Sequence, residues 1–372
     1  MPTNFTGAES ETFFAVALSI TSGLGTANFP WHKINEFTAE KLFEMIDGKS
    51  RTTQHFIAAD FPTLAIDAAN AILEKARLEN ISITHYWSSS YPPILREISR
   101  PPLVLYYVGD LPKNEMQSVV GTRKPSDYSR GVTKKVAGLL VNDGYTIVSG
   151  MATGVDAIAH EAALESGGKT LAVLANGLGV VYPAANSRLY DLISKSPGSA
   201  LVSEYPPGIH AGRWTFVRRN RIISGLSRAV MVIQAGSKSG TLITARYAAE
   251  QGRDVYVCPG NAFDDDFVGN HKLIADGAQI LYDLNILSET LKETATGIQL
   301  DLFSNKPSGL SAIINKDGSI EDTILGYLAN GTSDVDTVIR ECGLQVHEFQ
   351  EALVILEMDG RVIRKGNILS LG

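Results

Sequence analysis

An alternation constrains this chain more than any other feature. Between residues 116 and 283, short apolar runs of strand character take turns with stretches of helical character. Strands are predicted over 117–120, 145–148, 169–174, 200–203, 229–234, 254–258 and 279–282, and helices over 126–142, 155–166, 187–194 and 241–251. The strand runs are continuously apolar, which fits burial on both faces. Such strands, separated by helices, form a mostly parallel sheet covered on both sides. The expected core is therefore α/β, a Rossmann-like doubly wound sheet.

Sheets of this kind bind ligands at the carboxyl ends of their strands, over the N-termini of the helices that follow. Here those ends are rich in Gly, Ser and Thr. They include Gly121-Thr122-Arg123-Lys124, Ser149-Gly150-Met151-Ala152-Thr153-Gly154, Asn176-Gly177-Leu178-Gly179 and Gly236-Ser237-Lys238-Ser239-Gly240-Thr241. Helix N-termini offer unpaired N–H groups and partial positive charge, and glycine lets a ligand approach the backbone. Arg123, Lys124 and Lys238 add full charges beside these turns. Several phosphate-suited turns along one edge fit a run of phosphates better than a single one.

Other chemistries lack their motifs. No turn reads G-x-x-x-x-G-K-[ST], which argues against a P-loop. No G-x-G-x-x-G opens the first helix and no acidic residue ends the second strand, so a dinucleotide cofactor is unsupported. There is no G-x-S-x-G, no H-E-x-x-H and no Cys/His cluster. No catalytic residue, metal or cofactor is expected. Asp156 and His160, four apart on one helix, read as a packing or helix-stabilising pair. Asp264-Asp265-Asp266 reads as a solvated loop.

Charge supplies the next clue. The chain carries a net charge of −7, yet residues 205–249 hold Arg213, Arg218, Arg219, Arg221, Arg228, Lys238 and Arg246 and no Asp or Glu. A basic island interleaved with Trp214 and Phe216 suits a polyanion whose bases can stack. The bland alternative gives these arginines to caps and ion pairs. The lack of local carboxylates favours the functional patch.

The flanks read as separate modules, in keeping with the two or three domains expected of 372 residues. Residues 1–80 are mostly helical (13–20, 37–46 and 65–76), with Ser22-Gly23-Leu24-Gly25 as an ordinary turn rather than a phosphate-binding helix-hairpin-helix element. Residues 81–290 form the central domain, entered through strands at 81–84 and 103–108. Residues 291–318 read as a linker. Residues 319–372 show a winged-helix pattern, with helices at 321–328, 335–342 and 346–358 and strands at 361–363 and 368–370. From 318 to 372 there are nine acidic and four basic residues, and the third helix bears Glu348, Glu351 and Glu357 without Lys or Arg. Phosphate contact needs cations. This module is expected to bind protein or support assembly, with DNA contact limited to Arg361, Arg364 and Lys365. The two cysteines, Cys258 and Cys342, form no redox or metal spacing, and the apolar run at 13–20 is too short to span a bilayer. A cytosolic chain without a membrane span or targeting segment is expected.

Taken together, the motifs resemble the DNA-processing protein A (DprA/Smf) family. They are Gly121-Thr122-Arg123, Ser149 to Asp156 with Ala159-His160, Tyr182-Pro183 with Asn186, and Ser203-Glu204-Tyr205-Pro206-Pro207-Gly208. Phe216 with Arg219-Asn220-Arg221 to Ser227, then Ser239-Gly240-Thr241-Leu242 and Pro259-Gly260, complete the family order. Tyr91-Pro92 with Leu95, and Pro101-Pro102 with Leu105, match the segment that precedes the family's central domain. The resemblance implies a non-catalytic single-stranded DNA binder that forms homodimers and loads the RecA recombinase during natural transformation. Carried over by position, Arg123 and Arg213 would hold phosphates and Phe216 would stack on a base. Asn220, Arg221 and Lys238 would line the same pocket. The implied DNA-binding set is Arg123, Ser149, Gly150, Gly154, Arg213, Phe216, Arg219, Asn220, Arg221, Lys238, Ser239 and Gly240.

Some positions depart from the family pattern. Thr122 stands for the usual Ser. Val217 stands for a Pro, which alters how that loop presents Phe216. Asn270, in Gly269-Asn270-His271, is displaced from the usual pattern and receives no role. Within the linker, Gln299-Leu300-Asp301-Leu302-Phe303 looks like a peptide that docks to the bacterial sliding clamp, although packing on a neighbouring domain is the favoured reading. The enzymatic rival is a nucleoside-monophosphate glycosidic hydrolase. Against it, the first acidic residue after Ser239-Gly240-Thr241 is Glu250. A scaffold whose basic stretch binds an acidic protein is the third reading.

Overall fold

The computed structural model describes residues 7–21, 31–45 and 64–283, with Leu287, Leu291 and scattered positions between Ile324 and Leu371. It divides into two units, 1–299 and 300–372. The turn at 22–25, the pentapeptide 299–303, Glu348, Glu351, Glu357 and Arg361 lie outside the described residues.

The first unit opens with helices α1 (Gly7–Ile20), α2 (Ala39–Met45) and α3 (Ala65–Leu78). Strand β1 (Ser82–His85), the short helix α4 (Pro93–Arg96) and β2 (Val104–Gly109) follow. Alternation then begins: β3 (Met116–Val120), α5 (Asp127–Asn142), β4 (Thr146–Ser149), α6 (Val155–Glu165), β5 (Thr170–Val173), α7 (Ser187–Lys195) and β6 (Ala200–Ser203). The chain continues through α8 (Arg213–Gly225), β7 (Ala229–Val232), α9 (Thr241–Glu250), β8 (Asp254–Val257), α10 (Val268–Ala275) and β9 (Gln279–Ile280).

Among the described residues the strands form one sheet in the order β1-β2-β6-β5-β4-β3-β7-β8-β9. Every pair from β6 to β9 is parallel, and β1 and β2 add an antiparallel edge. The lack of polar alternation now has its cause. Val119, Ile147 and Met231 point into one core with α5 and α6, while their neighbours Val120, Val148, Val230 and Val232 point into the other, with α7, α8 and α9. Both faces are dry, so both sets of alternate residues are apolar.

Three features differ from the sequence reading. The N-terminal helices do not pack apart from the sheet: Phe13, Leu18, Leu42 and Ile72 share a core with Leu105, Tyr106 and Leu201. No break in packing marks residue 80. Helices α8 and α10 were not expected. The stretch that presents Phe216 is therefore helix, not loop, and Val217 lies within its first turns. Among the described residues no helix is long and apolar enough to cross a membrane.

In the second unit, Ile324, Leu328, Val338, Phe349, Leu353 and Leu356 build a small core with Val362 and Leu369. The last two belong to a hairpin of β10 (Val362–Lys365) and β11 (Ile368–Leu371). Helical positions followed by a hairpin wing give the expected winged helix.

Candidate nucleic-acid interface

The sheet reverses its winding at β3. From β3 the chain proceeds outward through β4, β5 and β6. It then crosses back by α8 and resumes at β7, on the other side of β3. The turns after β3 and β7 therefore diverge at one point, with a crevice between them. A cavity of about 670 Å³ occupies that crevice. Thr122, Arg123 and Lys124 form one wall, Gly236 to Thr241 the other, and Phe216, Arg219 and Asn220 of α8 close the side. The walls are tied together, since Thr122 N donates to Gln234 O (2.8 Å) and Ser126 N to Gln234 Oε1 (2.9 Å).

Helix α8 has a simple start. Thr215 Oγ1 accepts from Gly212 N (2.9 Å), closing the first turn with a side chain. Its buried positions include Arg219, Asn220, Arg221 and Ser224, so it carries no clean apolar stripe. Each of these side chains has a partner, although Arg221 Nη1 is buried without one among the described residues. Arg219 Nη1 donates to the carbonyls of Gly150 and Val173, both at 2.5 Å. Asn220 Nδ2 donates to Gly240 O (3.3 Å), and Arg221 pairs with the buried Glu204 (2.5 Å). Burial draws the Arg219 guanidinium down to about 10, so it remains charged at neutral pH.

The basic island accordingly separates into two populations. Glu204, one residue before the carboxylate-free window, pairs with both Arg218 (3.4 Å) and Arg221. Arg228 pairs with Glu115 (2.9 Å), and Arg246 with Glu250 (3.6 Å). Arg219 is only 4% exposed and bound to carbonyls. Of the seven, Arg213 and Lys238 remain exposed, with no ion pair among the described residues. Arg123 and Lys124, from the β3 turn, are exposed in the same way. Lys238, Arg123 and Lys124 line the cavity; Arg213 lies outside that lining, at the first position of α8. Most of the island thus has partners within the protein: Arg221 is buried against Glu204, and Arg219, bound to carbonyls, also lines the cavity.

Other expected residues divide similarly. Ser149 is fully buried, and its hydroxyl donates to Val119 O (2.7 Å), so it leaves the ligand-facing set. Gly150 and Gly154 act through what they admit. A Cβ on Gly150 would meet the Arg219 guanidinium at 2.5 Å. Gly154 has φ +85°, and a Cβ there would meet Thr122 O at 2.4 Å. Each lets a neighbouring turn come close. Ser239 and Gly240 do line the cavity, and Gly240 stands exposed at the start of α9. Phe216 is half-buried, with the Arg123 guanidinium 5.3 Å from its ring centre and the Tyr182 ring at 5.6 Å.

Asp156 and His160 do not bond to each other. His160 Nδ1 donates to Thr170 Oγ1 (2.6 Å), whose own hydrogen goes to Ile147 O. Burial lowers the His160 pKa to about 3, and burial raises that of Asp156. The Asp156 carboxylate accepts from Ala152 N (3.3 Å) and so braces the β4 turn from the cavity floor. Asp265 and Asp266 are exposed at the cavity rim. Among the described residues no His, Cys, Asp and Glu cluster is arranged to hold a metal.

Asn270, to which the sequence assigned nothing, joins three segments. Its Oδ1 accepts from Ala235 N (2.7 Å), and its Nδ2 donates to Ile233 O and Cys258 O. This fixes the β7 turn that carries Lys238. A Gly before an Asn at the start of a helix was the only local signal, and it does not reveal three backbone partners.

Residues 82–292, more than half of the chain, match the family model for DNA recombination-mediator protein A. The chain belongs to the DprA/Smf family. Residues 313–366 match the DprA winged helix domain. Protein Smf of Escherichia coli is 35% identical over 318 residues, covering 83% of this chain and 81% of the relative. Protein Smf of Synechocystis is 44% identical over 207 residues, so the match spans about half of each (54% and 52%). The X-ray structure of DprA from Streptococcus pneumoniae superposes with a TM-score of 0.61 at 33% identity, covering 77% of this chain and 99% of that one. DprA from Helicobacter pylori, whose structure is described for its single-stranded DNA binding mode, superposes at 0.52 with 31% identity, covering 57% and 96%. In this DprA/Smf member, the Gly121-Thr122-Arg123 and Ser239-Gly240-Thr241 motifs are the two walls of the switch-point cavity.

Proposed function

We propose that this chain binds single-stranded DNA across the carboxyl edge of its sheet and acts as a recombination mediator rather than an enzyme. One observation carries the reading. Arg123, Lys124 and Lys238, none of them ion-paired among the described residues, converge on a cavity walled by small-residue turns and a helix N-terminus, with an aromatic ring at its side. That combination neutralises phosphates and stacks bases with little sequence preference. The family and the single-stranded DNA binding described for the Helicobacter pylori relative support it. The contact set is Arg123, Lys124, Phe216, Asn220, Lys238, Ser239 and Gly240, with Arg213 reaching the strand beyond the cavity. In keeping with the family, the bound strand is passed to a RecA-type recombinase by a homodimer during natural transformation, in the cytoplasm.

Fluorescence anisotropy of a labelled oligonucleotide across a salt series tests the reading. Tight binding by wild type is expected, with a salt slope that falls by about 0.7 for each phosphate contact removed in Arg123→Ala/Lys238→Ala. A slope and affinity unchanged in that variant would place the strand elsewhere. No binding by folded wild type at low salt would overturn the function itself.

A further inference from the structure

Phe216 borders two depressions, not one. Beside the cation-lined cavity, and sharing Arg123 with it, lies a small hollow of about 40 Å³ formed by Gly150, Met151, Leu174, Asn176, Tyr182 and Pro183. Tyr182 stands beside Phe216 with ring centres 5.6 Å apart and planes inclined by 57°. The two rings differ in what already touches them. Phe216 has Arg123 at 5.3 Å and Arg219 at 6.0 Å from its centre, so guanidinium groups attend its ring. Tyr182 is 44% exposed and is the more open aromatic surface of the pair.

The Tyr182 loop is held at both ends. Asn176 Nδ2 donates to Val180 O (2.7 Å) before the ring, and Asn186 Nδ2 donates to Met151 O (2.8 Å) after it. Met151 has φ +60°, a left-handed conformation that costs a non-glycine residue free energy and that its surroundings must maintain. The Asn186 bond joins that turn to the tyrosine loop, so the backbone that carries the ring is tied to the β4 turn. A ring on a backbone tied in advance leaves less to be ordered when a ligand stacks on it. At the Gly236 wall of the cavity, Asp265 and Asp266 are exposed carboxylates, which repel a phosphate chain.

We propose that Tyr182 is a second base-stacking residue, and that the strand leaves the cavity over Phe216 towards Tyr182 and away from Asp265 and Asp266. The inference rests on the single-stranded DNA reading above. It assigns to the Tyr182–Asn186 loop a binding role: the phosphate run sits on the switch-point turns, and the base beyond Phe216 rests on Tyr182.

The test uses the full chain and thymidine oligonucleotides carrying a single 2-aminopurine at successive positions. Wild type should perturb the fluorescence at two neighbouring positions. Phe216→Ala should remove one of these signals. Tyr182→Ala and Tyr182→Leu should remove the other and raise Kd about tenfold, within the range for one stacked base. Tyr182→Phe should keep both signals. The salt slope should not change in any Tyr182 variant, because no charge is removed. Retention of both signals in Tyr182→Leu overturns the proposal. So does loss of both signals with a reduced salt slope, which would make Tyr182 a brace for the cavity. Either result leaves wild-type binding intact. Absence of wild-type binding would instead remove the underlying reading along with this one.

Discussion

Two hollows lie at opposite edges of the sheet, and the larger one is not the candidate site. The groove at the amino edge, near Tyr91 to Ile94, Asp110 to Met116, Arg228 and Arg253, encloses about 1010 Å³. The carboxyl-edge cavity encloses about 670 Å³. In the groove both arginines have partners: Arg228 with Glu115 at 2.9 Å, Arg253 with Glu97 at 3.0 Å and with Ile94 O. Its other cation, Lys113, shares the lining with the carboxylates of Glu97, Asp110 and Glu115. In the cavity Arg123, Lys124 and Lys238 have no such partner among the described residues. Volume measures where a ligand could fit. Charge without a partner measures where an anion gains something that the protein has not already supplied to itself.

The sharpest way to break the contrast is to remove the buried support beneath the cavity. Arg219→Ala leaves the carbonyls of Gly150 and Val173 without their donor and empties the space against Gly150. Urea unfolding should show a loss of about 3 kcal/mol, the cost of unsatisfied buried acceptors plus a cavity. Arg219→Lys should recover little of it, since an ammonium on a shorter side chain cannot copy the planar fork. A loss below about 0.5 kcal/mol would mean that the turns are held by other contacts.

The next test compares the two hollows directly. Arg123→Ala/Lys238→Ala should weaken oligonucleotide binding at least about tenfold, about 1.4 kcal/mol, with unfolding unchanged. Arg228→Ala and Arg253→Ala should leave affinity unchanged, although they break ion pairs. Equal losses from both sets would show that net charge, rather than position, governs binding.

Acid separates the interior from the ligand edge. The folded protein holds His160 near 3, against about 6.5 when unfolded, so between these values the unfolded chain binds the extra proton. Stability should therefore fall as the pH drops below about 6.5, by up to about 1.4 kcal/mol per pH unit from this group. A His160→Gln variant should lack that component, and the difference between the two pH–stability curves isolates it from the opposite contribution of Asp156. Parallel curves would refute the assignment.

The smallest effect is expected at the acidic rim. Asp265→Asn or Asp266→Asn should tighten oligonucleotide binding by about two- to threefold at low salt and hardly at all at high salt, as expected for screened surface charge. Weaker binding in either variant would give these carboxylates a direct role in holding the ligand.

The legibility of the chain varied with the kind of interaction involved. Strands β3 to β8 were read within a residue or two, because a doubly buried strand announces itself by apolar residues alone. Helix α8 was missed because its buried side carries Arg219, Asn220, Arg221 and Ser224, which no hydrophobic period can signal. The basic island was over-read for a related reason. Its carboxylate partners Glu115, Glu204 and Glu250 all lie outside the 205–249 window, and two of them lie just beyond its ends. Of the expected site, Arg123, Phe216, Arg219, Asn220, Lys238, Ser239 and Gly240 come together around one cavity, while Ser149 and Arg221 turn inward.

By itself the sequence determined the sheet, the phosphate-suited turns at its carboxyl edge, and the family. These follow from local composition: apolar runs, glycine beside hydroxyl residues, and motifs in fixed order. Only the tertiary structure decided which cations are free. Whether an arginine faces a ligand or a buried carbonyl depends on neighbours as far away in the chain as Gly150 is from Arg219, and such distances leave no trace in the residues on either side. The same holds for Tyr182 and Phe216, 34 positions apart in sequence and 5.6 Å apart in the folded chain.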